Sequence, residues 1–416
     1  MEHRSAFPTP PRSTTHSDIA FIGGGFRTTT FLSSAPALLL RRVRVYERGT
    51  TMGPGGFARY GITTTSIGSR FFKHLDLSGP FVPRARSSAL TDVARAERPV
   101  AMPLLASALT TLGRTLQDAL GADGVRLGST VVAVHADRDR HRVDVRLADG
   151  STESSRHAVL ATGRTERAHP ELASWRAKVL LSGAVISTAH RSEIKDRLLA
   201  AGGRPVVVAG SSHSAMSALQ VLLDLRAELR AEHPGAPLPS VQVVRRGPGR
   251  LMYDSTDLAR RGQVPGRERP FDPVSDVCPA TGIVYRDSGL RHRSRALYCA
   301  LWAGELPGAA LVDAPVLAAA ADRLEEAALV VQALGYHGRA PDLYLDGVLV
   351  RPGDSPERLL ADDDGALLLN GVAQSLLSVL RVEPTPLDRR DSTAYASDLY
   401  QRLADRLAAR ATEAGA

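Results

Sequence analysis

The sequence predicts an α/β protein in which a strand–turn–helix–strand unit occurs twice. In the first unit the apolar run Ile19–Ile22 precedes a glycine cluster, a stretch of helical length and a second apolar alternation at Val43 and Val45. The second unit follows Gly203 with a four-residue apolar strand, a turn of small residues, a long amphipathic helix and a strand over Val241–Val244. Two such units indicate two mononucleotide-binding halves of one design.

The composition is that of a globular protein of two to three domains. The chain has 416 residues, of which 43% are hydrophobic and 23% charged, and this excludes collagen-like, coiled-coil and wholly disordered classes. No apolar run reaches the roughly 18 residues that a membrane span needs. Residues 1–17 lack an apolar signal core and are interpreted as a disordered leader. We therefore expect no membrane partner.

The two cysteines, Cys278 and Cys299, belong to no CxxC motif and to no Cys/His cluster. Their spacing predicts neither a disulfide framework nor a metal site, and it indicates a reducing, cytoplasmic compartment. Without a CxxC motif the chain also lacks the dithiol that a disulfide reductase requires.

The net charge of +8 leaves two interpretations, a nucleic-acid partner or an arginine-rich surface that binds anionic small molecules. The arginines are interleaved with Ala, Asp and Glu, and no basic stripe carries the aromatic residues that stack on bases. The second interpretation is favoured.

Further elements are expected between and after the two units. Residues 129–160 alternate apolar and polar and predict an antiparallel meander that ends in a buried strand. Residues 247–300 are rich in Arg, Gly and Pro and predict no regular element. Residues 324–343 predict a helix, a buried strand and a turn, and 362–387 a strand, an Asn-Gly turn and a short helix before prolines. Residues 397–415 have the period of a surface helix.

The turn of the first unit, GGGFRT over residues 23–28, fits the pattern GxGxx(G) with Thr28 in the third place. Gly23 allows the tight turn, and Gly25 lets backbone N–H groups approach a pyrophosphate at the helix N-terminus. Glu47 closes the second strand, where an acid binds a ribose 2′-hydroxyl. The alternative is an ordinary glycine-rich turn with a solvated Glu47.

The turn of the second unit, GSSHSA over residues 210–215, is a GxSxxA variant that still permits close approach. Its second strand ends in Arg245 and Arg246, and guanidinium groups there suit the 2′-phosphate of NADPH. A structural role for this arginine pair stays open. For His213 a plain solvated or core role is the alternative to ligand contact.

The stretch GPGGFARYGITTTSIGSRFFKHL, residues 53–75, follows the first unit as a long loop. Its glycines, its hydroxyls at 63–66 and Arg70 could cradle a ligand, because loops of this length are usually functional or disordered. The alternative is an ordered loop without a ligand.

The order of these motifs carries a resemblance. GGGFRT, Glu47, HAVLATG at 157–163, GSSHSA and LVVQALGY at 329–336 resemble the two-dinucleotide flavoproteins, in which an NADPH domain is inserted into an FAD domain. In that family each crossover strand ends in an ATG-type turn. The segment Ser375–Leu380 is similar to the one that closes the flavin site in flavin-dependent N-hydroxylating monooxygenases, the ornithine and lysine N-hydroxylase group. The resemblance covers residues 18 to about 383.

The resemblance implies two Rossmann-like dinucleotide-binding domains. FAD-binding parts would span 18–170 and 325–416, with an NAD(P)H-binding domain inserted over 171–324. It implies the cofactors FAD and NADPH, and transfer of one oxygen atom from O2 through a flavin C4a-hydroperoxide to a small metabolite, with N-hydroxylation of an amine favoured. The implied FAD contacts are Gly23, Gly25, Phe26, Arg27, Glu47, Arg48, Arg70, Val132, Thr162, Gly163, Gly371 and Leu377, and the implied NADPH contacts are Gly210, Ser212, His213, Ala215, Arg245 and Arg246.

The sequence departs from the family at several motifs. Thr28 replaces a small residue or Asn, and the second ATG is ALG at 333–335. The linker pattern FxGxxxH aligns on Leu181, Gly183 and Ser187 and loses Phe and His, and Asn370 precedes Gly371 where His is usual. The amine-recognition residues therefore do not carry over, and a specialised substrate is expected.

No Ser/His/Asp or paired-carboxylate arrangement occurs, so no catalytic side chain is assigned. The alternatives are a flavoprotein oxidase, dehydrogenase or cyclase, and a nucleotide-binding protein without turnover. Homo-oligomerisation stays open.

Overall fold

A computed structural model describes residues 16–73, 75, 88–279, 281–286, 288–355, 359–380 and 392–413. Residues 1–15 of the predicted leader lie outside this part of the chain. The predicted α/β class is confirmed, since helices flank two sheets that contain parallel strands. No helix among the described residues is long and apolar enough to cross a membrane.

The strands are β1 (His16–Ile22), β2 (Val43–Tyr46), β3 (Thr63–Ile67), β4 (Pro99–Ala101), β5 (Val125–Arg126), β6 (Val131–Asp137), β7 (Arg142–Leu147), β8 (Thr152–Leu160), β9 (Arg164–Thr165), β10 (Val179–Leu181), β11 (Val206–Ala209), β12 (Val241–Arg245), β13 (Ala309–Asp313), β14 (Leu329–Gln332), β15 (His337–Gly338), β16 (Asp342–Leu345), β17 (Val348–Arg351), β18 (Leu360–Ala361), β19 (Ala366–Leu369) and β20 (Val372–Val379). The α-helices are α1 (Phe26–Ser34), α2 (Ser88–Arg95), α3 (Met102–Leu120), α4 (Ser182–Val185), α5 (Arg191–Ala200), α6 (His213–Glu232), α7 (Thr256–Gly262), α8 (His292–Trp302), α9 (Ala321–Glu326) and α10 (Ser392–Glu413).

The first sheet is built around β1, which pairs in parallel with β2 on one side and β8 on the other. Its strand order is β17-β16-β6-β7-β8-β1-β2-β5, with β20 also pairing with β8 in parallel. One face packs on α1, α3 and α10 through residues such as Phe31, Leu109 and Leu403. Because parallel strands end at one edge, the segments after β1, β2 and β8 meet there, where α/β sheets bind ligands.

The predicted meander is confirmed as β6, β7 and β8, which pair antiparallel in that order. Its apolar residues, including Val134, Val143 and Val145, share a buried cluster with Ala20 and Leu160 of the central strands. The meander therefore covers the face of the first sheet that α1 and α3 leave open.

The second sheet has the order β10-β14-β11-β12-β13, and all of its pairs are parallel. Helices α6 and α8 cover one face through a cluster that includes Leu222 and Tyr298. The segment 247–300, for which no regular element was predicted, contains α7 and α8 and packs Leu251 and Val284 into the same cluster.

The boundary predicted between residues 324 and 325 is wrong for the strand that follows it. β14 lies in the middle of the second sheet, with Ala209 of β11 opposite Gln332. It is the crossover strand of the second unit, as β8 is of the first, and the chain rejoins the first sheet only at β16. We propose that the second unit ends after Gln332.

The short helix predicted after the Asn-Gly turn is also wrong. Asn370 and Gly371 both have positive φ angles, of 51° and 77°, which is typical of a two-residue hairpin turn. The chain therefore turns back from β19 into β20, and Leu377 and Val379 pair with Ala158 and Leu160 of β8. Placement in a sheet interior outweighs the helical preference of the leucines.

Two connecting segments join the two sheets. The first follows β8 and the second follows β14, and they pair with each other as β9 and β15 through His337 opposite Thr165 and Gly338 opposite Arg164. The joint between the halves is therefore a small antiparallel ribbon.

Candidate functional site

The two glycine-rich turns have the same geometry. Gly23 has a φ of +108°, its N–H donates to Tyr46 O over 2.8 Å, and a Cβ atom placed on it would lie 2.5 Å from Ala161 O. Gly210 has a φ of +117°, its N–H donates to Val244 O over 2.9 Å, and its Cβ atom would lie 2.5 Å from Ala333 O. Each turn therefore requires glycine, and each packs against the alanine that begins the predicted ATG-type turn.

Each turn leads into a helix whose first N–H groups have no side-chain cap. Gly25 is the N-cap of the nine-residue α1 and Ser212 that of the twenty-residue α6, and both have extended backbone. The hydroxyl of Ser212 instead donates to Ala333 O over 3.4 Å. Uncapped N–H groups at a helix N-terminus are donors for an anion, so both turns fit a diphosphate.

The third positions of the two motifs pack the helices on their strands. Thr28 and Ala215 are fully buried. Thr28 also donates through Oγ1 to Gly23 O over 2.5 Å, so threonine at this place closes the turn by a hydrogen bond.

Glu47 lies at the end of β2 beside the first turn. Its carboxylate accepts from the N–H groups of Gly24 and Gly49, each over 2.7 Å, and the residue is 9% exposed. Each carboxylate oxygen can accept a second hydrogen bond. The geometry thus holds Glu47 at the turn and leaves it able to accept from a ribose hydroxyl.

The loop that follows β2 lies directly on the first turn. Gly53 N–H donates to Gly24 O over 2.8 Å. Phe26 lies 5.5 Å from Phe57 and 5.8 Å from Phe71 between ring centroids. Arg27 lies over the Phe26 ring at 5.2 Å. The predicted FAD contacts Phe26 and Arg27 are therefore part of the packing between loop and turn.

Arg70, in the same loop, faces the other half of the molecule. Its charge contributes, after burial and the Arg291 charge, to lowering the pKa of His292 at the start of α8. Arg70 and the start of α8 are therefore close enough for their charges to interact.

Several other predicted FAD contacts surround the first turn. Thr162 and Gly163 follow β8 directly after Ala161, and Arg48 follows Glu47. Val132 comes three residues after Ser129, whose N–H donates to Glu47 O over 2.9 Å.

Two predicted FAD contacts are not brought to this turn. Leu377 is fully buried inside β20, in the cluster between the sheet and the meander. Gly371 lies in the exposed hairpin turn at the start of β20, the end away from the Val379–Leu160 pair. Leu377 was expected in a helix that is a strand in the structure, whereas Gly371 lies in the Asn-Gly turn where it was expected.

His213 is the first residue of α6. Its Nε2–H donates to Gly289 O over 3.1 Å, and burial, with the charge of Arg291, lowers its pKa to about 4. The ring is therefore neutral at pH 7, and its Nδ1 is buried without a hydrogen-bond partner in the described structure. A neutral acceptor lies beside the second turn.

Arg245 is not available to a ligand. It is 4% exposed, its Nε and Nη2 form a bidentate pair with Asp313, and its remaining donors reach Tyr298 and two backbone carbonyls. Successive side chains of a strand point to opposite faces, so Arg246 is the exposed member of the pair. The prediction of a phosphate contact is wrong for Arg245 and stays a prediction for Arg246.

Three arginines near the first turn were not predicted as contacts. Arg59 ends the short 3-10 helix Gly55–Arg59, and Arg167 and Arg339 lie on the two connecting segments. Arg339 N–H donates to Gly163 O over 3.1 Å, and its own carbonyl accepts from the Thr162 hydroxyl. Arg59 lies in the loop 53–75 that the sequence singled out, and only the position of Arg167 and Arg339 after the crossover strands β8 and β14 could have indicated the other two.

A buried polar cluster joins the same segments. Glu166 accepts from Ser182 Oγ over 2.5 Å and from Gly183 N–H over 2.6 Å, and burial raises its pKa. The hydroxyls of Tyr336 and Tyr60 also lie beside Gly183, and burial, with the charge of Glu166, raises the pKa of Tyr336. A Cβ atom on Gly183 would lie 2.8 Å from Glu166 Oε2, which explains why glycine survives in the altered FxGxxxH pattern.

Comparisons with solved structures give similar architectures over nearly the whole chain. The ornithine N-hydroxylase of Kutzneria sp. 744, solved with reduced FAD, NADP+ and L-ornithine, matches 95% of this chain and 100% of its own, with a TM-score of 0.58 and 16% identity. The FAD-bound cadaverine monooxygenase of desferrioxamine biosynthesis from Erwinia amylovora matches 95% of each chain, with a TM-score of 0.60 and 16% identity.

The chain has the fold of the N-hydroxylating flavoprotein monooxygenases. The resemblance predicted from the sequence is confirmed at the level of the fold. The bacillithiol disulfide reductase of Staphylococcus aureus also matches, with a TM-score of 0.52, 12% identity and coverage of 95% and 99%, so this fold carries more than one reaction. No family model and no curated protein sequence matches the chain.

Proposed function

We propose that the protein is an FAD- and NADPH-dependent monooxygenase that acts on a small metabolite, with N-hydroxylation of an amine favoured. The observation that carries the proposal is the repeated turn geometry, with Gly23 against Ala161 O and Gly210 against Ala333 O. Two diphosphate sites in one chain suit two dinucleotides, and the similar ornithine N-hydroxylase is described with FAD and NADP+ and the cadaverine monooxygenase with FAD.

At the first turn this chain would bind FAD. The N–H groups at the start of α1 donate to the diphosphate, and Glu47, held by Gly24 and Gly49, accepts from the adenosine ribose. The aromatic contacts of Phe26 with Phe57 and Phe71 fix the loop over the turn. At the second turn the N–H groups of α6 and the exposed Arg246 would hold NADPH.

When FAD is bound and reduced by NADPH, it would react with O2 and so make one oxygen atom of O2 available for transfer. The protein orients the two dinucleotides and keeps water from the reduced flavin, since solvated oxygen adducts decay to peroxide. Glu166, on the first connecting segment, is hydrogen-bonded to Ser182 and Gly183 of α4 and so ties that segment to the second half. We place the reaction in the cytoplasm and leave the oligomeric state open.

The experiment follows NADPH, O2 and product together. Purified protein with FAD and NADPH is tested in air against a panel of diamines and amino acids, with mass spectrometry of the products. We expect NADPH and O2 to fall one to one, with a product heavier by one oxygen atom for one of the amines.

Isotopically labelled O2 is the control, because the added oxygen must carry the label. Flavin reduction by NADPH without any oxygenated product would contradict monooxygenation and favour an oxidase or dehydrogenase on the same fold. A protein that neither retains FAD nor gains thermal stability from it would contradict both.

A further inference from the structure

Four arginines from three segments lie near the first glycine-rich turn, and we call Arg48, Arg59, Arg167 and Arg339 the arginine cluster. Arg48 lies between Glu47 and Gly49, and Glu47 is hydrogen-bonded to Gly24 of the turn. Arg59 ends the loop whose Gly53 donates to Gly24 O.

The other two members lie on the connecting segments. Arg339 is bonded through its backbone to Gly163, two residues after Ala161, which contacts Gly23. Arg167 follows β9, and β9 pairs with β15 directly before Arg339. Each member therefore lies on a segment that contacts the turn or the strand end beside it, and the charges of Arg48, Arg59 and Arg167 all act on Arg339.

These arginines have few anionic partners. Within the described residues the side chains of Arg48 and Arg339 make no hydrogen bond and no ion pair. Arg167 donates to backbone carbonyls of Asp354 and Ser355, and Arg59 to Tyr60 Oη over 3.3 Å.

The nearby carboxylates are already used. Glu47 accepts from two backbone N–H groups, and Glu166, which the Arg59 charge influences, accepts from Ser182 and Gly183. Burial lowers the pKa of Arg339, and the charges of Arg48, Arg59 and Arg167 lower it further. The charged form of Arg339 is thus held at a free-energy cost that an anion would remove.

We propose that the arginine cluster clamps the diphosphate of the dinucleotide bound at the Gly23–Gly25 turn. The identity of that dinucleotide as FAD rests on the proposed function. The binding of phosphate groups by the arginines does not depend on it. Guanidinium groups bind phosphate oxygens by paired, charge-assisted hydrogen bonds. Because Arg167 and Arg339 belong to the two connecting segments, a bound diphosphate would also hold the joint between the sheets.

The test uses Arg339→Gln and Arg48→Gln in the full-length chain freed of FAD, with Arg140→Gln as the control of equal charge change. Arg140 is an exposed residue of the β6–β7 turn, 3.5 Å from Asp137. Affinities for FAD, ADP, riboflavin and adenosine are measured by calorimetry over a range of salt concentrations.

We expect each cluster variant to weaken FAD and ADP about ten- to a hundredfold and to reduce the salt dependence of their binding, as loss of a charged hydrogen bond requires. Riboflavin and adenosine, which lack phosphate, keep their affinities. The ligand-free Arg339→Gln protein melts at the same temperature as wild type or higher, because a repelled charge is removed. If Arg339 had only a structural role, its replacement would instead lower the melting temperature.

Unchanged FAD and ADP affinities in both cluster variants, or equal losses in Arg140→Gln, would overturn the clamp. If wild type binds ADP but not FAD, and Arg339→Gln weakens the binding of ADP, the clamp is supported and the FAD assignment is contradicted. Binding of neither ligand by wild type would overturn both.

Discussion

At the scale of single residues, the site depends on glycines whose neighbours leave no room for a side chain. Gly23 and Gly163 both have positive φ angles, of 108° and 71°. A Cβ atom on Gly23 would collide with Ala161 O, whereas nothing lies within 4 Å of one on Gly163. A side chain at either position would strain the backbone, but only at Gly23 would it also collide with a neighbour.

We predict that Gly23→Ala lowers the free energy of unfolding by about 3 kcal/mol or more, from backbone strain and the collision together. Gly163→Ala, the matched control, is expected to lose about 1 kcal/mol from strain alone. Urea unfolding of the two variants beside wild type measures both losses. Equal losses would contradict the close contact between the turn and β8.

At the scale of elements, the position of β12 explains why Arg245 is buried although the adjacent Arg246 is exposed. Arg245 lies opposite Asp313 in the register of β12 and β13, and its guanidinium contacts Tyr298 of α8. It therefore ties β12, β13 and α8 together. Arg246 points away from these elements and is exposed.

We predict that the two arginines separate stability from cofactor choice. Arg245→Gln is expected to cost about 2 kcal/mol of folding stability, because polar groups of its partners lose hydrogen bonds, and to leave the preference for NADPH over NADH unchanged. Arg246→Gln is expected to leave stability within about 0.5 kcal/mol and to reduce that preference about tenfold.

Urea unfolding and the dissociation constants of the two nucleotides measure these effects. The prediction is contradicted if Arg246→Gln binds NADPH and NADH in the wild-type ratio.

The elements that the sequence predicts well are those whose pattern is local. The strand–turn–helix units and the meander follow from periodicity and turn residues, and the structure confirms them. β20 was predicted as a helix because its leucines were given more weight than the Asn370-Gly371 turn, which is a local signal for the β19–β20 hairpin. Its pairing with β8 joins residues more than two hundred positions apart and leaves no local signal.

At the scale of the whole molecule, the two halves repeat one plan and meet at a small ribbon. The repeat could be predicted from GGGFRT and GSSHSA, and the ALG at 333–335 marked the second crossover strand. The domain boundary was misplaced because a boundary depends on which sheet β14 joins. Of the arginine cluster, Arg48 was among the predicted FAD contacts, but Arg167 and Arg339 were not, since the connecting segments that carry them reach the first turn only in the fold.

The central claim is that one chain holds two different dinucleotides at two separate turns. The most direct measurement is a calorimetric titration of the FAD-free protein with FAD, followed by titration of the FAD complex with NADP+. We predict one FAD and then one NADP+ per chain, with FAD retained and with Arg246→Gln weakening only the NADP+ step. Competition between the two nucleotides for a single site, or equal weakening of both steps in Arg246→Gln, would contradict it.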